Sequence, residues 1–236
     1  MSFKNILCYG TLNPDLIYFV DELPKKGDDI RSSNYSIRPG GTAINCSELI
    51  SLWDKSVHVR GNSIGSDPMG NYLIDYLKEN NINFDGLIIN QSLTPTSSIL
   101  VDSSGERTIV SSGYEGLEWS NFENLNNFDS LIIDRYSIRF IKDKLKDLKK
   151  QNSLFVCQAG YEYEIDYKLD FLIVSKDEIS VNEANNLIDS KTVEYILLTS
   201  SSLPARLLSS EGAIAVSYTH LRAHETKANL VFRLLR

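Results

Sequence analysis

A pair of glycines stands directly before a segment with helical spacing, in residues 39–45 (PGGTAIN). Glycine lets a ligand approach the backbone closely, and the first turn of a helix has N–H groups that are free to bind oxygen atoms. The segment has neither the Gly-Lys-Ser/Thr of a Walker loop nor the Gly-x-Gly-x-x-Gly spacing of a dinucleotide site. It is a candidate site for the oxygen atoms of a ligand, although an ordinary glycine-rich helix start has the same pattern.

A second group of polar residues follows the first apolar run of the chain. Asn13 and Asp15 come shortly after residues 5–10 (NILCYG), which we predict to form a short buried strand. Ligands of doubly wound sheets bind beyond the carboxyl ends of the strands, so this pair can accept from and donate to sugar hydroxyls. The alternative is a turn with helix-cap residues, which Asn-Pro-Asp also favours.

Two further carboxylates lie near predicted strand ends. Glu178 follows residues 168–175 (KLDFLIVS) and can hold a hydrated magnesium ion, since Mg²⁺ keeps several waters and uses few carboxylates. A carboxylate in the first turn of a helix also simply complements the helix dipole. Asp67, in residues 64–70 (IGSDPMG), is typical of a helix cap, with Gly65 permitting the turn before it.

Short apolar strands alternate with amphipathic helices along most of the chain. We predict strands at 5–10, 130–134, 153–158, 168–175 and 195–200, a strand followed by a loop over 57–65, and helices from Thr42 onward and at 69–82, 138–152 and 177–190. This alternation predicts an α/β fold with a mostly parallel, doubly wound sheet. Residues 97–112 break the rhythm with two β-rich runs around Ser-Ser-Gly-Glu, which predict a hairpin in a small β appendage beside the sheet.

The composition bounds the class of protein. With 236 residues, 42% hydrophobic and 23% charged, the chain can form one sizeable α/β domain and is not globally disordered. A net charge of -7 argues against a nucleic-acid binder, and no apolar run is long enough to span a membrane. Cys8, Cys46 and Cys157 fit neither a disulfide framework nor a zinc site. Because no signal-peptide pattern opens the chain either, we expect a cytoplasmic protein.

Taken together, these motifs resemble the ribokinase-like (PfkB-type) carbohydrate kinases. The resemblance rests on Asn-x-Asp near the start, Gly-Gly-x-x-x-Asn at a helix start, Ile-Gly-x-Asp-x-x-Gly before a helix and the later Gly-Glu-Arg hairpin, and it runs from about residue 5 to about residue 215. It implies a three-layer α/β/α sandwich with a mostly parallel central sheet and a small β-sheet lid. It also implies transfer of a phosphoryl group from ATP, with Mg²⁺, to a hydroxyl of a sugar or nucleoside.

The resemblance assigns roles to individual residues. Those matching the family's substrate site are Asn13, Asp15, Gly40, Gly41, Asn45 and the hairpin residue Arg107. Ser175 and Glu178 fall on the family's Asn-x-x-Glu motif, with Ser175 on the nucleotide side and Glu178 reaching the metal through water. The serine, and the strand LIIDRYS, are similar to the ketohexokinase-like branch. Thr199 falls where the family has Thr-x-Gly near the nucleotide, but Ser201 replaces the glycine. Segments 16–38 and 97–112 match the lid, which often supplies a homodimer contact in this family.

The motif that carries catalysis in this family is missing from the sequence. Members have a Gly-Ala-Gly-Asp at a helix start, whose amides form an anion hole and whose Asp accepts the hydroxyl proton. The sequence contains no such motif. Residues 217–236 carry four basic residues and one acidic residue, whereas residues 1–216 have a net charge of -10. The run VSYTHLRAHET resembles translated sequencing-adapter DNA; the alternative is an amphipathic tail.

We therefore expect residues 1–215 to be an incomplete kinase domain and residues 216–236 to be foreign to it. The first hypothesis is a carbohydrate kinase that is inactive in this truncated form, for want of its base. The second is a sugar-binding or regulatory protein without catalysis, and the third is a nucleoside kinase of the same fold.

Overall fold

The computed structural model describes residues 3–53, 55–151, 154–161, 165–200 and 204–216. Residues 217–236, on which the tail hypothesis rests, and Ser201 lie outside this part. The described residues contain four α-helices: α1 (Thr42–Ser51), α2 (Pro68–Glu79), α3 (Ile138–Gln151) and α4 (Val181–Asp189). The first seven strands are β1 (Asn5–Gly10), β2 (Asn13–Phe19), β3 (Asn34–Gly40), β4 (Ser56–Gly61), β5 (Ile64–Gly65), β6 (Ile89–Asn90) and β7 (Thr96–Val101). The other seven are β8 (Arg107–Ser112), β9 (Ser130–Asp134), β10 (Phe155–Ala159), β11 (Leu169–Ser175), β12 (Val193–Thr199), β13 (Ala205–Ser209) and β14 (Gly212–Val216).

Eight strands form the main sheet, in the order β14-β13-β12-β11-β10-β9-β1-β4. The pairings from β4 to β12 are all parallel, and β13 and β14 add an antiparallel edge. The predicted mostly parallel sheet is confirmed. Strand β1 lies between β4 and β9, so the segment after Gly10 meets the carboxyl ends of both neighbours.

Helices cover both faces of this sheet. Leu7 and Tyr9 of β1 point into a core with residues of α3 and α4, while Ile6 and Cys8 point into a core with residues of α1 and α2. Strands buried on both faces have continuous apolar runs, which is why the sequence pattern marks them well. The predicted three-layer α/β/α sandwich is confirmed.

A smaller sheet of four strands lies beside the main one, in the order β3-β2-β7-β8. Strand β2 pairs antiparallel with β3 and parallel with β7, and β7 and β8 form the predicted hairpin. The strands begin earlier and end later than the segment 16–38, because Asn13-Pro14-Asp15 is extended and pairs with Gly40-Pro39-Arg38. The alternative that residues 13–15 form a turn is therefore wrong.

Two helix boundaries also differ from the predicted ones. Helix α2 ends at Glu79 rather than residue 82, because Asn81 adopts a left-handed conformation with φ 55°. Helix α4 starts at Val181 rather than 177, because Ser180 caps it in a capping box with Glu183. Glu178 therefore precedes the helix and does not lie in its first turn.

Candidate functional site

Asp134 connects the carboxyl ends of β1 and β9 and is almost fully buried. Its Oδ2 accepts hydrogen bonds from the backbone N–H and the hydroxyl of Thr11, at 2.8 and 2.9 Å. Its Oδ1 accepts from the backbone N–H groups of Tyr136 and Ser137, at 3.1 and 2.7 Å. Four donors satisfy this carboxylate, so it positions the chain around the strand ends. This role of Asp134 was not predicted from the sequence.

Thr11 in turn holds the start of α1. Its hydroxyl oxygen accepts from Thr42 N at 3.1 Å, and its carbonyl oxygen accepts from Ala43 N at 3.1 Å. Gly41 precedes the helix with φ +83°, and a Cβ built on it would overlap the Thr11 carbonyl. The glycine is thus required by the close backbone approach. Two N–H groups that we expected to be free for ligand oxygens are bound to Thr11 instead.

Asn13 and Asp15, the predicted substrate ligands, lie next to each other on β2. The buried Asn13 carboxamide donates from Nδ2 to Asp15 Oδ1 at 2.7 Å and to Ser97 Oγ of β7 at 3.1 Å. Its Oδ1 accepts from the hydroxyl of Tyr114 at 2.7 Å. The pair is held by residues more than 80 positions further along the chain, and neither Ser97 nor Tyr114 was identified from the sequence.

Only one of the two carboxylate oxygens of Asp15 is hydrogen-bonded within the described residues. Its Oδ2 has no hydrogen-bond partner among the described residues, and it faces Gly40, where any Cβ would overlap the carboxylate. Burial raises the pKa of Asp15, while the Asn13 hydrogen bond and the positive charge of Arg107 oppose that rise. A hydroxyl donor placed against Oδ2 would supply the missing interaction.

Asn45 and Arg107 lie at the margins of this site. The Asn45 carboxamide, on the first turn of α1, is half-buried and makes no hydrogen bond with a described residue. Arg107 is exposed at the start of β8 and acts on Asp15 through its charge rather than through a hydrogen bond. Both side chains are therefore available to a ligand.

Ser175 and Glu178, the predicted nucleotide and metal residues, lie at the carboxyl end of β11, which is at the same edge of the main sheet as Asp134. Glu178 Oε1 forms an ion pair with Arg135 Nη1 at 2.8 Å, and Glu178 Oε2 accepts from Ser175 N at 2.8 Å. Arg135 also donates to the hydroxyl of Tyr136 at 2.7 Å, and its aliphatic part lies against Gly160. Both oxygens of Glu178 are thus engaged by the protein. Arg135 was not identified from the sequence.

Thr199 and Asp67 make interactions within the protein. The Thr199 hydroxyl donates to the carbonyl oxygen of Val174 at 3.2 Å, joining β12 to β11, and the side chain is buried. Asp67 caps α2 by accepting from Gly70 N at 2.8 Å, and it also binds Thr94 N and Oγ1. These hydrogen bonds lower the pKa of Asp67 despite the opposing effect of burial, which is the largest single influence. The cap prediction is confirmed.

Over the described ranges, no group of three or more His, Cys, Asp or Glu side chains is arranged to hold a metal ion. The three cysteines are free and buried, and burial raises the pKa of each thiol. Among the helices in that part of the chain, none is both long and apolar enough to cross a membrane.

Comparison with known proteins identifies relatives over most of the chain. The pfkB family carbohydrate kinases match residues 4–157. A ribokinase of Dictyostelium discoideum is 24% identical over 185 residues, and a ribokinase of Mus musculus is 31% identical over 107 residues. These matches cover 78% and 44% of this chain, but only 52% and 32% of the relatives. The chain thus spans about half, or less, of the curated relatives it matches.

Solved structures show the same fold. A ribokinase from Arabidopsis thaliana, complexed with ribose and ATP, superposes with a TM-score of 0.72 at 16% identity, covering 93% of this chain and 79% of that one. A putative ribokinase from Agrobacterium tumefaciens gives 0.75 at 16% identity, covering 94% and 78%. A nucleoside kinase from Methanocaldococcus jannaschii gives 0.67 at 22% identity, covering 90% and 76%.

Proposed function

Because the chain belongs to the pfkB family of carbohydrate kinases, we propose that it binds a sugar and derives from an enzyme that phosphorylates a sugar hydroxyl with ATP. The observation that carries the proposal is the pair of buried Asn13 and half-buried Asp15, whose free oxygen faces Gly40. A carboxylate oxygen without a donor in a half-buried site suits a neutral polyol, whose hydroxyl groups supply donors without adding charge.

Sugar binding is tested directly on the 236-residue chain. We expect a pentose or a ketose to raise the melting temperature of the wild-type protein and to leave that of Asp15→Asn nearly unchanged. The panel includes adenosine, because a nucleoside kinase shares the fold. A panel in which no sugar acts and adenosine does would favour the nucleoside kinase, and a panel without any shift would overturn the proposal.

We propose that this chain does not transfer phosphate by itself, so that residues 1–215 act as a substrate-binding part. The support is the lack of Gly-Ala-Gly-Asp in the sequence and the engagement of Asp134, whose oxygens already accept four hydrogen bonds. An ADP-release assay with ATP and the best-bound sugar tests this, and turnover that depends on the sugar would contradict it. A sugar-binding protein without catalysis, the second candidate, would behave in the same way. It is separated from a truncated kinase by a longer reading frame that contains the motif.

ATP binding is supported by relatives, since the Arabidopsis thaliana and Cryptococcus neoformans ribokinase structures contain ATP and ADP. In this chain Ser175 and Thr199 are the residues proposed for the nucleotide side. Glu178 does not fit a magnesium role in its present arrangement, because Arg135 and the Ser175 N–H engage its two oxygens. A magnesium requirement therefore rests on family likeness alone.

We also propose that the protein forms a homodimer and is located in the cytoplasm. Ile109 and Val110, exposed apolar side chains on β8 at the edge of the small sheet, support a homodimer through that edge strand. Light scattering of the wild-type chain and an Ile109→Lys variant would test it. The free, buried cysteines support a cytoplasmic location.

A further inference from the structure

Tyr114 closes the substrate site from a part of the chain in which no motif was recognised. It follows Gly113, whose φ of +81° turns the backbone after β8, and it is half-buried. Its hydroxyl donates to Asn13 Oδ1 at 2.7 Å, across 101 residues of sequence. The contact joins the loop after the hairpin to the first strand of the small sheet.

The hydrogen bonds around Asn13 distinguish the oxygen from the nitrogen of its carboxamide. Nδ2 faces three acceptors, Asp15 Oδ1, Ser97 Oγ and the carbonyl oxygen of Pro14, whereas Oδ1 faces the phenol. Turning the amide over would place N–H groups against the Tyr114 hydroxyl and a carbonyl oxygen against the Asp15 carboxylate. Tyr114 and Asp15 therefore fix the orientation of Asn13 from opposite sides.

The phenol remains a donor at neutral pH and still has an oxygen to offer. Burial raises the pKa of Tyr114, as does the negative charge of Asp15, with the Ser97 hydroxyl acting in the opposite direction. A phenol that gives its proton to Asn13 has two lone pairs on its oxygen, and the Ser97 hydroxyl faces one side of it. The other can accept a hydroxyl from a ligand, in a chain of hydrogen bonds that strengthen one another.

We propose that Tyr114 is a specificity-determining residue of the substrate site. Its hydroxyl holds Asn13 in one orientation and accepts a substrate hydroxyl next to the one that donates to Asp15 Oδ2. The matching ligand is a polyol with two neighbouring hydroxyls, a vicinal diol. This inference rests on the proposed function, since it takes Asn13 and Asp15 as substrate ligands.

The first test compares Tyr114→Phe with Tyr35→Phe, a matched control on the exposed face of the small sheet. Calorimetric titration measures the affinity of each for the best-bound sugar and for analogues that each lack one hydroxyl. Tyr114→Phe is expected to bind the parent sugar about 5- to 10-fold more weakly than wild type, the effect of one neutral hydrogen bond. It should bind one deoxy analogue as well as wild type does, because that analogue lacks the hydroxyl that Tyr114 accepts. Tyr35→Phe should match wild type throughout.

An equal loss for the parent sugar and every deoxy analogue, or no loss at all, would overturn the specificity role while leaving sugar binding intact. If wild type binds no sugar, the proposed function fails and the specificity role fails with it.

The orientation of Asn13 is decided separately, without ligand, by the Asn13 side-chain amide signals in ¹H–¹⁵N spectra, assigned by their loss in Asn13→Asp. We expect these signals to move in Tyr114→Phe and to stay in Tyr35→Phe. Unchanged signals in Tyr114→Phe would overturn the positioning role.

Discussion

Two polar clusters lie beyond the carboxyl ends of strands in the main sheet, and their charges are arranged differently. In the substrate-side cluster (Asn13, Asp15, Tyr114), a half-buried carboxylate is hydrogen-bonded by a neutral amide and has one free oxygen. In the strand-end cluster (Arg135, Ser175, Glu178), the carboxylate is matched by a guanidinium and a backbone N–H. One oxygen of the Asp15 carboxylate therefore lacks a donor, whereas the charge of the Glu178 carboxylate is compensated by Arg135. A polar ligand therefore completes one cluster, whereas it must compete with an existing ion pair in the other.

The clusters also differ in how the fold builds them. Residues on the ends of β9 and β11, two strands apart in one sheet, form the strand-end cluster. The substrate-side cluster needs the small sheet to pair β2 with β7 and to bring the loop after β8 onto β2. Changes that loosen the small sheet should therefore affect sugar binding before they affect the main sheet.

The largest loss of stability is expected at Asp134, whose hydrogen bonds hold the backbone next to both clusters. Asp134→Ala would leave three N–H groups and the Thr11 hydroxyl without their acceptor, so we expect a loss of about 3 kcal/mol or more in the free energy of unfolding. Urea denaturation measures it. Asp177→Ala is the control, an exposed carboxylate nearby that should change stability by less than about 0.5 kcal/mol. Equal effects would show that Asp134 supports neither cluster.

Gly41→Ala tests whether the close backbone approach before α1 is needed by the substrate-side cluster. Its Cβ would overlap the Thr11 carbonyl, so we expect a loss of about 2 to 3 kcal/mol in stability together with loss of sugar binding. Gly105→Ala is the matched control: its φ of +85° is similar, but no atom lies within 4 Å of its Cβ position. It should cost only the left-handed strain, about 1 kcal/mol. Similar losses in both variants would mean that backbone strain, and not the close approach to Thr11, explains the glycine.

Exchanging the two carboxylates for amides should give opposite results. Asp15→Asn removes the charged acceptor and should weaken sugar binding about 10- to 100-fold, without loss of stability, since a half-buried charge is removed. Glu178→Gln should leave sugar affinity unchanged and lower stability by at most about 1 kcal/mol, because the Arg135 side chain is 37% exposed. Titration calorimetry and thermal melts measure both. Weaker sugar binding in Glu178→Gln would contradict the separation of the clusters.

The smallest effect expected is on the pH dependence of sugar affinity. Burial raises the pKa of Asp15 above its ordinary value of 3.8, so protonation starts at a higher pH than for an exposed aspartate. Because the ionised form is the better acceptor, affinity should fall as the pH is lowered through this raised pKa. The folded state itself gains relative stability on that protonation, since the raised pKa disfavours the charged form. Affinity measured between pH 7 and pH 4 tests this, and Asp15→Asn should show no such fall.

How far these features follow from the sequence depends on how local their causes are. Residues 5–10 and 130–134 were predicted to the residue, because strands buried on both faces are continuous apolar runs between breaks. The glycines before α1 and the cap at Asp67 depend on neighbours in sequence, and they too were recognised. The start of β2 was not, since Asn-Pro-Asp is typical of a turn and only pairing with β3 extends it.

The contacts that complete each cluster could not be predicted in this way. Arg135 meets Glu178, 43 residues further along, only because β9, β10 and β11 lie side by side. Tyr114 meets Asn13 only because the small sheet folds the hairpin onto β2. The sequence patterns assigned no role to either residue, because only the strand order brings them to their partners.

The central place of β1 has a consequence for synthesis of the chain. Ile6 pairs with Val57 on one side and with Ser130 on the other, 124 residues later. At typical translation rates that interval takes roughly 10 s. Until β9 emerges, a nascent chain can cover only one edge of β1, and the other edge stays open to neighbouring chains. Strand β1 thus leaves the ribosome before both of its neighbours and is enclosed only once β9 follows, and aggregation competes with folding in that window.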